Sequence, residues 1–144
     1  MTKETKTSFE KNMQYVIDAT DAVTGRVASL AAKKALSGRK VIIVNSEKAV
    51  IIGSKSSILK KYSARIARGR GKQAGPYFHR GPEKILRRAV RGMLPFDRKT
   101  GRDALRNVKC YISVPPELKN SEKIDFKNEL HADYMTLGEL SKLL

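Results

Sequence analysis

The sequence predicts a single α/β domain built on a parallel sheet, and three observations carry that reading. Strand-like and helix-like stretches alternate along the chain. The run at 40–45, centred on VIIV, is β-branched on both faces, as in a central strand of a parallel sheet. The 144 residues contain no internal repeat and no obvious linker. A chain of that length can bury roughly two-thirds of the surface it exposes when unfolded.

The elements follow in order. Residues 1–12 are polar and predict a flexible N-terminal segment, leaving 13–144 as one domain. Residues 15–19 (YVIDA) read as a short buried strand. The helix predicted at 24–37 places Val27, Leu30, Ala31 and Ala35 on one face, and Gly38 stops it. After the strand at 40–45, residues 49–52 (AVII) are either a third strand or a continuation of the second. A helix at 54–66 would bring Ile58, Leu59, Tyr62 and Ile66 together. A brief helical segment at 101–107 precedes residues 108–114, which alternate as a last strand. There Val108, Cys110, Ile112 and Val114 point inward, and Pro115 and Pro116 end the strand. The stretch 117–133 is polar and reads as irregular. Thr136 to Glu139 form a capping box, with Met135 and Leu140 spaced for a hydrophobic staple. The final helix then turns Leu137, Leu140 and Leu144 inward.

The helix predicted at 82–93 organises the charge. Pro82 suits the first helical position and Glu83 complements the positive helix start. On a helical wheel Lys84, Arg87, Arg88 and Arg91 fall within one arc of roughly 100°. Ile85, Leu86, Ala89, Val90 and Met93 take the opposite side. No acid stands among the four cations within that arc, so the face repels itself. Around it, Arg65, Arg68, Arg70, Lys72, Arg80, Arg98, Lys99, Arg102 and Arg106 complete thirteen cations against three acids, ten of the chain's net +16. Such a concentration calls for an anionic partner, and pI ≈ 10.2 falls in the range of nucleic-acid binders. The loop at 68–81 interleaves five glycines and prolines with arginines, and Tyr77, Phe78 and His79 sit among them. Glycine lets backbone approach phosphate and aromatics stack on unpaired bases. For Tyr77 and Phe78, burial in the core is an equal alternative.

Other chemistry is not evident. Gly53, Ser54 and Lys55 follow an apolar run but lack the upstream glycine of a phosphate loop, though a helix start there could hold a backbone phosphate. His79, His131 and Cys110 are too few and too scattered for a metal cluster. Cys110 reads as a small core residue, and the single cysteine fits a reducing compartment. Asp18 and Glu47 are expected to cap helices or pair with arginines. No active site, cofactor or small-molecule substrate is expected. The N-terminus lacks the apolar stretch of a signal peptide, and no apolar run is long enough for a membrane span. Two other classes can be told apart by experiment. A nucleotide-using enzyme would melt higher with nucleotide present, and a lipid-surface protein would need the apolar side of the 82–93 helix free.

Seven motifs occur in a telling order: VIDA at 16–19, GRVAS at 25–29, VNSE at 44–47, HRGPE at 79–83, RGMLP at 91–95, GRDAL at 101–105 and YISVPP at 111–116. Together they resemble the universal large-subunit ribosomal protein L-thirteen family. The tail at 134–144 (YMTLGELSKLL) is similar to the archaeal branch. Val27 stands where Leu or Met is usual, and Ser113 where Gly is common. The resemblance implies a three-layer α/β/α domain with a four-stranded, largely parallel sheet. It also implies a non-enzymatic, cytoplasmic, ribosome-bound protein, held by large-subunit rRNA beside neighbouring large-subunit ribosomal proteins and acting early in subunit assembly. The residues at 65–106 named above, with Tyr77 and His79, are the expected RNA-binding set.

Overall fold

Val41, Ile42, Ile43 and Val44 are all buried, which is what β-branched side chains on both faces of a strand require. The computed structural model describes residues 14–68, 77–127 and 129–144. In it, β2 (Lys40–Val44) lies inside a four-stranded sheet. On one side it pairs in parallel with β1 (Gln14–Asp18), from Gln14 opposite Lys40 to Asp18 opposite Val44. On the other side β4 (Val108–Cys110) pairs in parallel, and β5 (Lys123–Asp125) pairs in parallel with the far edge of β1. The order is therefore β4-β2-β1-β5.

The two faces of this sheet follow the period of two. Ile17, Val41, Ile43 and Val108 face the main core. Val16, Ile42 and Val44 face a smaller apolar layer with Leu118, from a single 3-10 turn (Pro116–Leu118), and Val114. The main core is covered by helix α1 (Thr24–Leu36), whose Ala28, Ala31, Ala32 and Ala35 are buried. Small side chains let neighbours approach closely, and helix α3 (Pro82–Gly92) and helix α4 (Lys99–Arg106) both pack on α1. Gly38 ends α1 at φ +84°, a left-handed conformation that glycine takes freely. Helix α2 (Lys55–Arg68) buries Ile58. Helix α5 (Leu137–Leu143) carries the Thr136 half of the expected capping box: the Glu139 N–H donates to Thr136 Oγ1 at 3.2 Å, while the Glu139 carboxylate lies 3.8 Å from Lys55 Nζ.

Of the two readings of 49–52, the third strand holds: a 3-10 turn (Ser46–Lys48) separates β3 (Val50–Ile52) from β2, and β3 pairs antiparallel with β6 (Tyr134–Thr136) in a separate two-stranded sheet. Three expectations need correction. The strand at 108–114 stops at Cys110, because its partner β2 turns away at Asn45, which has φ +55°. One further pair of bonds, the Tyr111 N–H to Ile43 O and the Ser46 N–H to Tyr111 O, closes the ladder. Beyond it Ile112 is exposed and Val114 joins the opposite face. Nor is β4 the last strand, since β5 and β6 follow within and just after the stretch read as irregular. Finally, α3 ends at Gly92, so Met93 leaves the apolar side and is exposed.

Gly101 lies inside α4 where a Cβ would run into the Pro95 carbonyl, whereas a Cβ on Gly25 in α1 would meet nothing within 4 Å. Opposite outcomes are expected. Gly101→Ala should cost about 1–3 kcal/mol through overpacking against backbone. Gly25→Ala should stabilise by about 0.4–1 kcal/mol, because it restricts the unfolded chain. Thermal melts of the two variants check both signs.

Candidate nucleic-acid interface

Helix α3 begins at an extended Gly81 with Pro82 in its first turn, and the Lys84 and Ile85 N–H groups bond the Gly81 carbonyl. Its apolar side is spent in the core, with Ile85 3%, Leu86 0% and Val90 0% exposed, and Ala89 half-buried. Lys84, Arg87, Arg88 and Arg91 are exposed on the other side. The apolar face that a lipid-surface helix would need therefore lies inside the domain.

Aromatic rings and carbonyls, rather than carboxylates, place these arginines. The Arg88 guanidinium lies over the Phe78 ring, 4.6 Å from its centroid, and donates to the Tyr77 carbonyl at 3.3 Å. Arg65, from α2, lies 5.8 Å from Phe78 and 5.4 Å from Tyr62. The Tyr62 and Phe78 rings meet edge to face at 5.7 Å and 66°. Arg91 stacks on Phe96 at 4.1 Å, and Arg87 donates to the Leu105 carbonyl at 3.3 Å. A stacked guanidinium keeps its full charge and leaves N–H edges for phosphate.

Three clefts open along this face. One, of about 420 Å³, lies between α2 and α3 and is lined by Tyr62, Arg65, Arg68, Phe78, Ile85, Arg88 and Ala89. A second, of about 330 Å³, gathers Tyr77, His79, Lys84, Arg87 and Arg91 with Phe78 and Phe96. A third, of about 450 Å³, runs past Arg88 and Arg91 to Phe96 and Asp97. Most of the expected residues thus converge on α3 and the approach to it. Arg80 is exposed just before the helix, and Arg98, Lys99 and Arg102 are exposed on or beside α4 and line none of these clefts. Among the described residues, Arg106 alone of these cations has a carboxylate within 4 Å, Asp103 at 3.4 Å. Arg70 and Lys72 lie outside the described residues, as does the flexible segment expected at 1–12.

Of the two aromatics left open by the sequence, Tyr77 is 68% exposed and Phe78 is half-buried, packed against the core. Tyr62 and Phe96 were not in the expected set. Arg65 three residues after Tyr62 on one helix was the available sign, since an i,i+3 pair is a contact pair.

The chain's other reactive groups serve the fold. Asp18 neither caps a helix nor pairs with an arginine. Its Oδ1 accepts from the Thr20 hydroxyl at 2.6 Å, the Thr20 N–H at 3.0 Å and the Asn45 amide at 3.0 Å, tying the ends of β1 and β2 together. Burial pushes this carboxyl up, but those bonds and the charge of Lys123 outweigh it and hold its pKa below the ordinary value. Glu47 has no cap or arginine either: its Oε2 is buried without a hydrogen-bond partner among the described residues. Ser54 at the start of α2 accepts from the Ser57 N–H at 3.4 Å. No helix among the described residues is long and apolar enough to cross a membrane.

Residues 12–117 match the model of the family described as ribosomal protein L13. The chain belongs to that family. A protein of Methanosarcina barkeri named large ribosomal subunit protein uL13 is 47% identical over 133 residues, covering 88% of this chain and 94% of the relative. Relatives of the same name from Archaeoglobus fulgidus and Methanocaldococcus jannaschii are 42% and 43% identical, each over 90% of this chain. They cover 86% and 96% of their own lengths. The family is structural and non-enzymatic, and these relatives are archaeal.

Cys110 is packed against the core, and burial pushes its thiol from an ordinary 9.0 up to about 12; Arg87 nearby lowers it and Glu83 raises it. The folded state therefore holds the thiol proton more tightly than the unfolded chain does. The resulting stability is fully present below about pH 9 and is lost as pH rises towards about 12. Alkaline melting curves should fall more steeply for the native chain than for Cys110→Ala. In the native fold the thiol should resist a disulfide reagent at pH 8 and react fast once unfolded.

Proposed function

We propose that this chain is a structural constituent of the large ribosomal subunit that binds large-subunit rRNA through the exposed face of α3 and the basic loop leading into it. It would work in the cytoplasm, bound in the ribosome beside neighbouring large-subunit proteins, and support subunit assembly. One observation carries this reading. Lys84, Arg87, Arg88 and Arg91 stand on a helix anchored by its opposite side, with no carboxylate among the described residues neutralising them. The names of the archaeal relatives agree with it.

The physics of such a contact is counterion release. Each phosphate neutralised adds nearly one to the slope of log affinity against log salt, so about four contacts cost on the order of a hundred-fold between 50 and 200 mM. Duplex RNA is read mainly by shape and backbone, so base specificity on the α3 face should be modest.

The test is an RNA titration on purified protein with large-subunit rRNA, at several salt concentrations. Changing Arg87, Arg88 and Arg91 together to Gln should leave the melting temperature nearly unchanged, because Arg and Gln have similar helix propensity. Affinity should fall by several kcal/mol, since each charge-assisted contact is worth roughly 1.5–3 kcal/mol. The salt slope should drop by about three. Leu86→Asp should instead unfold the domain. A flat salt response in the native protein, or full affinity in the triple variant, would refute the proposal.

A further inference from the structure

We propose that the cleft between α2 and α3 takes one unpaired nucleobase of the bound RNA, with the flanking phosphates held by Arg65, Arg68 and Arg88 at its rim. This rests on the reading of the chain as an rRNA binder and says what that surface does beyond holding backbone.

The lining has two chemistries. Ile85 and Ala89 give an apolar floor, Tyr62 and Phe78 an aromatic wall, and three exposed arginines surround them with no carboxylate in the lining. That division matches a nucleotide, whose base is flat and poorly hydrated and whose phosphate is anionic. Duplex backbone alone would meet the arginines and place no base against the rings or the guanidiniums over them, because a paired base cannot leave its stack. An acidic peptide would likewise answer only the rim. The guanidiniums of Arg88 and Arg65 already lie against the rings, so they present planar faces on which a base can continue the stack. The volume, about 420 Å³, is at the small end of ordinary ligand sites (roughly 300–1,000 Å³). Burial raises the Tyr62 pKa against the lowering effect of Arg65, so its hydroxyl stays protonated at neutral pH and can donate to a base edge.

The experiment compares two fluorescent probes of equal charge at one salt concentration: an oligoadenylate pentamer, and a pentamer with the same phosphates and abasic sugars. Stacked bases should make the first bind tighter by roughly 5- to 150-fold. Phe78→Leu, which keeps apolar volume but removes the ring, should bring the two affinities together, and Phe78→Tyr should restore the gap. Equal binding of both probes by the native protein overturns the base cleft, whether or not the variants fold. So does binding of neither probe by protein that still binds rRNA, or a preference that survives Phe78→Leu. If the native protein fails to bind large-subunit rRNA itself, the broader reading falls, and the base cleft with it.

Discussion

The cationic surface is held in place by the burial of three side chains, Ile85, Leu86 and Val90, on one side of an eleven-residue helix. The magnitudes decide that this anchor wins. Fully burying each such side chain contributes about 1.5–3 kcal/mol. Like charges at i,i+3 and i,i+4 on the other side cost a few tenths of a kcal/mol per pair. The helix can therefore carry an unneutralised stripe, and α1, with its buried alanines, gives it a seat close to the sheet.

How the arginines are restrained matters as much as where they stand. A carboxylate would fix a guanidinium and cancel its charge together. Phe78, Phe96 and the carbonyls of Tyr77 and Leu105 fix it and leave the charge intact. The ordering of long side chains, which can cost up to about 2 kcal/mol each, is thus partly met before any anion arrives.

Much of this could be read from the residues. The VIIV run gave its strand, the wheel of α3 gave both faces, and the Thr136 cap formed as written. What could not be read depends on partners distant in sequence. β5 has only Ile124 as an apolar residue, and it is a strand because the far edge of β1 is there to receive it. The alternation at 108–114 was real, but β2 bends at Asn45 and nothing remains for the later residues to pair with. Tyr62 and Phe78 each sat in a plausible core pattern. Only the packing of α2 near the approach to α3 shows that their rings also carry arginines.

The strand order also sets a timetable. β1 and β2 leave a translating ribosome early and can pair as soon as α1 has formed between them. The other edge of β1 waits for β5, about 80 residues later, or roughly 4–16 s at ~5–20 residues per second. An open strand edge is a template for wrong pairing. During that interval α3 is made, with its seat on α1 available, while the β1–β2 pair keeps both outer edges open until first β4 and then β5 emerges. The segment after the last proline pair is therefore no appendage: it supplies β5, the clasp that closes the sheet edge left open longest as the chain emerges.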